Sequence, residues 1–138
     1  MKKFRISQIQ FEAKSSPIEN SILLKKLYIK SQNYKPDLIC TPECSNIITN
    51  NKLHLFKKTT LQDHCPVLSM TKKFAKEYKV NINLGSLLLK IKNKKKLVNR
   101  SILINKFGKI ESLYDKIHLF DVNISMKENH KESNYFKK

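Results

Sequence analysis

A twice-repeated order, a short strand and then a proline-opened helix, does most to limit what this chain can fold into. Residues 4–11 alternate polar and apolar side chains, as a strand with one buried face does. Ser16-Pro17-Ile18-Glu19 then carries helix-start chemistry. Ser16 accepts from the exposed N–H groups of a first turn, Pro17 suits the first helical position, and Glu19 is spaced to return a bond to the cap. The spacing of Ile18, Ile22, Leu23 and Leu27 predicts a helix to about Asn33, with Lys25, Lys26 and Lys30 left to solvent. Residues 38–40 read as a short buried strand stopped at Pro42, which sets Glu43 just past the strand's C-terminal end. Residues 46–62 show no clear period beyond a turn at Asn50-Asn51. Pro66 begins a second helix with Val67, Met70, Phe74 and Tyr78 on one face.

Three further strands follow, at 80–91, 97–104 and 109–114, joined by connections short enough to make them antiparallel neighbours. Gly108 supplies the positive φ that the second of these turns needs. Strand, helix, strand, helix and then a run of strands defines an α/β fold with a mixed sheet and flanking helices. From 121 to 138 no element is predicted, and the chain stops on Lys137-Lys138 without a closing element.

The 138 residues suffice for one domain. A formal charge of +17 would suit nucleic acid or an acidic partner, yet nearly all of it is lysine, which raises every surface cluster together. Lys57-Lys58 and Lys94-Lys95-Lys96 have no interleaved aromatics and no nucleic-acid motif, so they read as solvated surface and a hairpin turn. Cys40, Cys44 and Cys65 lack the dense spacing of a secreted disulfide framework. Cys40 and Cys44 are at zinc-ligand spacing, with His64-Cys65 to complete a set, but Pro42 between them and the lack of a second regular pair favour ordinary buried thiols. With no signal-peptide core and no stretch of membrane-spanning length, a soluble cytoplasmic protein is expected.

Glu43 alone reads as a solvated loop carboxylate, and the stretch from Tyr114 through Asp121 as a plain loop. Together, in order and spacing, they change the reading. Thr41-Pro42-Glu43, Leu84-Gly85-Ser86, Asn99, Gly108-Lys109-Ile110, the run YDKIHLFDV at 114–122 and Lys131-Glu132-Ser133 make the chain resemble the carbon-nitrogen hydrolase superfamily, the nitrilase-like amidases. That resemblance implies hydrolysis of non-peptide amide bonds without cofactor or metal, through a thioester. It implies Glu43 as general base, Lys116 at the oxyanion and Glu132 as a supporting acid. Burial is expected to raise the Glu43 pKa toward its task, and the ammonium of Lys116 stabilises an oxyanion most in the transition state. His118 has no part in the triad and is expected to pack or to hydrogen-bond behind it. The wording HLFD resembles the ω-amidase and deaminated-glutathione amidase branch, which implies small amides bearing a carboxylate or keto acid.

The resemblance further implies the N-terminal half of an α-β-β-α four-layer sandwich, with residues 1–138 a partial domain truncated before the nucleophile elbow. No cysteine follows Lys116, and Cys44 is expected to point away from Glu43 on an extended segment. The isolated chain is therefore expected to lack its nucleophile and to be inactive, or else to serve as a noncatalytic basic binding protein for nucleic acid or an acidic partner. Apolar residues of strands at 81–89 and 101–104 are expected to stand exposed, leaving a loosely packed chain unless a complementary C-terminal half or a second copy covers them.

Overall fold

The alternation is present in the computed structural model, which describes residues 3–119, 121–123, 129–131 and 136. In order, the elements are β1 (Ile6–Gln8), α1 (Pro17–Ser31), β2 (Leu38–Cys40), α2 (Lys52–Lys58), α3 (Pro66–Tyr78), β3 (Asn81–Lys90), β4 (Leu97–Ile104) and β5 (Ile110–Asp115). A small antiparallel pair, β6 (Asp121–Asn123) with β7 (Asn129–Lys131), lies where no element was expected, its strands being too short to show alternation. The sheet runs β1-β2-β3-β4-β5, parallel over the first two pairings and antiparallel over the last two. This is the mixed α/β sheet flanked by helices of a nitrilase-like four-layer sandwich, N-terminal portion. Among the described residues no helix is long and apolar enough to cross a membrane.

Both long helices cover one face of that sheet. Leu24 and Tyr28 of α1 and Val67, Leu68, Phe74 and Ala75 of α3 pack with Ile39, Ile82, Leu84, Ile102 and Ile104 in one buried cluster. Strand alternation turns Asn83, Ser101 and Leu103 to the opposite face. Ser16 Oγ accepts from the Glu19 amide, the cap the sequence implied, and Asn51 Oδ1 accepts from that of His54 to start α2. The second was hidden because a seven-residue helix with no fully buried residue leaves no period to read.

The inward face of α1 differs from the expected one. Ile18 and Ile22 are 65% and 55% exposed, while Pro17, Asn20, Leu24, Tyr28 and Ser31 are buried. Polar groups occupy the inner stripe because they have bonds to make there. Asn20 exchanges hydrogen bonds with the Lys14 backbone and donates to the Asn46 carbonyl, and Ser31 Oγ donates to the Tyr28 carbonyl. Periodicity sees hydrophobicity, not satisfied polar burial.

The expected exposure of the central strands is also overturned. Ile82, Leu84, Leu87, Leu89, Ile102 and Ile104 are all buried, under α1 and α3. A second cluster of Ile47, Leu88, Leu97 and Phe136 covers apolar side chains on the other face.

β2 pairs with β3 only over residues 81–83, so the rest of the β3 edge needs other partners. The chain after β2 supplies them. Thr41 N–H donates to Asn83 O, Ser86 N–H to Pro42 O and Ser45 N–H to Ser86 O. The Asn46 side chain then acts as a strand residue would, accepting from Leu88 N–H and donating to Leu88 O, both at 2.8 Å. Changing Asn46 to Ala leaves two buried backbone groups without their partner, and an unfolding free-energy loss of about 2 kcal/mol is expected from denaturant titration.

Candidate active site

The same edge-capping segment positions Glu43. After β2 the chain turns at residues 43–46, with Cys44 in the left-handed region at φ 54°. Inside the turn Ser45 Oγ donates to Pro42 O and lies 2.9 Å from Thr41 Oγ1, while Cys44 N–H donates to Ser86 Oγ. β3 carries one extra residue opposite β4 between Leu84 and Leu87, a bulge that brings Gly85 and Ser86 against this turn. Gly85 is required there: a Cβ would meet the Thr41 carbonyl oxygen and lie 2.7 Å from that of Pro42. A backbone-to-backbone approach this close leaves no room for any side chain.

Glu43 meets two donors from the neighbouring strands. Asn99, inside β4, donates from Nδ2 to Glu43 Oε1 at 2.7 Å, and Lys116, just past β5, places Nζ 3.0 Å from the same oxygen. The two donors are themselves joined, since Lys116 N–H donates to the Asn99 carbonyl at 2.9 Å. Gly85, Ser86, Ser101 and Tyr114 complete a cleft of about 240 Å³ around them. Asn99 is only 3% exposed, and among the described residues its Oδ1 has no partner. A buried acceptor left so costs about 1–3 kcal/mol. On the other face of β4 and β5, Arg100 grips Asp115 through two bonds of 2.5 and 2.8 Å and donates to Gln62 at 2.9 Å. Asp115 is thereby engaged behind the cleft, and the clamp holds in register the strands that carry Asn99 and Lys116.

The charge state of Glu43 differs from expectation. Its carboxyl is held below the ordinary carboxylate range, chiefly by the hydrogen bond from Lys116, helped by Asn99 and by the charge of Lys116, against the opposing pull of partial burial. Burial was expected to win. It loses because the cation and the amide both sit on the carboxylate while the cleft stays open to water.

The expectation of a chain without a usable thiol, and so inactive, does not stand. Cys40, Cys44 and Cys65 all retain their thiols, and Cys40 and Cys44 fall within three residues of Glu43. Order along the chain relative to Lys116 does not decide which thiol a fold brings to a carboxylate. The extended geometry invoked for Cys44 is also absent, because residue 44 lies within the turn. Its side chain packs beside the Ile47, Leu88, Leu97 and Phe136 cluster. Burial pushes up the thiol pKa of Cys40 and, despite backbone hydrogen bonds, that of Cys65. His118 is exposed and does not pack as expected. Glu132 lies outside the described residues. Ser86, Ser101 and Tyr114 were not singled out individually for the cleft, because their meeting depends on the bulge and on the Ser101–Tyr114 register across β4 and β5.

Solved structures with this architecture include the Caenorhabditis elegans NitFhit protein, with a TM-score of 0.82 and 22% identity over 97% of this chain and 32% of that one. An amidase from Nesterenkonia superposes with a TM-score of 0.71 and 17% identity, covering 85% of this chain and 44% of the amidase. The pattern of the carbon-nitrogen hydrolase family matches residues 5–138, and the chain belongs to that family. Among curated proteins, the "Probable hydrolase nit2" of Schizosaccharomyces pombe is 29% identical over 126 residues, 91% of this chain and 45% of that protein. The chain thus spans less than half the length of these relatives.

Proposed function

We propose that the protein hydrolyses small amides bearing a carboxylate or keto acid, with Glu43 as the general base and Lys116 as the oxyanion donor. The observation that carries this reading is the convergence of Asn99 and Lys116 on one oxygen of Glu43, at the strand ends of a carbon-nitrogen hydrolase. In this chemistry a cysteine gives its proton to Glu43, and its sulfur adds to the amide carbon. The carbonyl π electrons pass to oxygen, where the Lys116 ammonium meets the new negative charge. Collapse of that adduct breaks the C–N bond, the amine leaves with the proton returned by Glu43, and water hydrolyses the thioester. An amide oxygen entering the cleft competes for the ammonium of Lys116. As Lys116 turns to it, Glu43 loses its main stabilising donor and becomes the stronger base. Support for a thiol route comes from glutamate mutants of the Nesterenkonia amidase, which show Michael addition of acrylamide and covalent addition of the acetamide moiety of fluoroacetamide at the active-site cysteine. The substrate class rests on the HLFD segment at 118–121, whose wording resembles the ω-amidase branch.

The test is ammonia release by the purified protein from a dicarboxylic acid monoamide, an α-keto acid amide and a neutral amide of equal length. Release from the two charged amides, preferred over the neutral one and removed by prior alkylation with iodoacetamide, is expected. No release from any of the three, or release untouched by alkylation, overturns the proposal.

A further inference from the structure

Asn99 hydrogen-bonds to both members of the charged pair. Its side-chain amide donates to Glu43 Oε1 at 2.7 Å, and its main-chain carbonyl accepts the Lys116 N–H at 2.9 Å. With Lys116 Nζ also 3.0 Å from Oε1, the three residues close a ring across the turn, β4 and the end of β5. Both side-chain bonds fall on the same oxygen, and among the described residues Glu43 Oε2 accepts none. The other half of the amide is the second observation: Oδ1 is buried with no partner among the described residues. An apolar residue of the same shape would have avoided that orphan. Among the described residues, the bond that this side-chain amide makes is the one to Glu43.

We propose that Asn99 is a positioning residue that fixes Glu43 through Oε1, so that Oε2 is the oxygen presented to the reacting proton. An amide suits this task where the alternatives do not. A carboxylate at 99 would repel Glu43, a second cation would compete with the role of Lys116, and a hydroxyl would fall short of the reach that Nδ2 provides. Lysine alone holds a carboxylate loosely, because its ammonium is a point charge on a flexible stem. The second bond converts attraction into orientation, and base geometry is what proton transfer depends on. The remaining groups around Glu43 do not substitute. Cys44 follows it in the turn, Ser86 comes from β3, Ser101 from β4 and Tyr114 from β5, and of these Tyr114 and Cys44 are the titratable ones.

The inference rests on the amide-hydrolase reading for its meaning but not for its test. The side-chain carboxyl carbon of Glu43 is followed by NMR against pH in the full chain and in Asn99→Leu and Asn99→Asp. Losing the donor destabilises the charged carboxylate, so the Glu43 midpoint moves up in Asn99→Leu. It moves further in Asn99→Asp, where a like charge is added. A merely structural Asn99 would lower the unfolding midpoint and leave the Glu43 titration in place. In amide hydrolysis both variants are expected to lose kcat by at least about tenfold with little change in KM. If Asn99→Leu fails to fold, the smaller and equally uncharged Asn99→Ala gives the same reading, free of the added charge of Asn99→Asp. A Glu43 titration unmoved in the folded variants overturns the positioning role. A titration that moves in a protein without amide activity upholds that role and instead overturns the function proposed above.

Discussion

Glu43→Gln is expected to reduce kcat/KM for amide hydrolysis by about 100- to 10,000-fold, the range that a general base contributes. The substitution keeps the shape of the side chain and removes the capacity to take a proton. It also strips Lys116 and Asn99 of an anionic acceptor, so the ammonium is no longer drawn to Oε1. Initial rates with a carboxylate-bearing amide measure the loss, and retained activity within about threefold of the parent would show that the base lies elsewhere. The same variant has a signature in stability. The Glu43 pKa is lower in the fold than in the unfolded chain, so its bonds stabilise the protein above the unfolded carboxylate pKa. That contribution is lost as pH falls through the folded value. Glu43→Gln should therefore flatten the acid limb of the stability profile. The change should be small, because the pair is partly exposed and screened by water.

How far the sequence could be read depended on whether each feature is local. Strand boundaries at 38–40 and 97–104, the Ser16 cap and the positive φ of Gly108 are decided by neighbouring residues, and the structure has each of them where expected. The inner stripe of α1 was misread because Asn20 is buried for the sake of a carbonyl 26 positions away. The site divides in the same way. Glu43 and Lys116 stand out through motif wording, yet the contact between them spans 73 residues and rests on sheet order. What was beyond the sequence is the direction in which the Glu43 pKa moves. A residue's own burial suggests one sign, and the partner that a distant strand delivers sets the other. The role of Asn99 could be read only once its side chain and its backbone were seen to serve the same pair.

The second large effect is expected at Gly85, which bears no chemistry. Gly85→Ala introduces a methyl group against the carbonyls of Thr41 and Pro42, both backbone atoms that cannot rotate aside. Relief requires the 41–46 segment to lift from the β3 edge, and the bonds from Ser86 N–H to Pro42 O and from Cys44 N–H to Ser86 Oγ lengthen with it. Overpacking of this kind costs about 3 kcal/mol, seen as a lower denaturant midpoint at unchanged slope. The turn that moves carries Glu43, while Asn99 and Lys116 stay on β4 and at the end of β5. The carboxylate therefore shifts relative to its donors. A misplacement of about 1 Å at a reacting group costs on the order of 100-fold in rate, so Gly85→Ala should lose activity well below its unfolding transition, where the chain is fully folded. Measuring kcat at a temperature where circular dichroism shows native structure separates the two effects. A variant destabilised as expected but with parental kcat would mean that the turn relaxes without moving Glu43, and that the close approach at Gly85 serves packing alone.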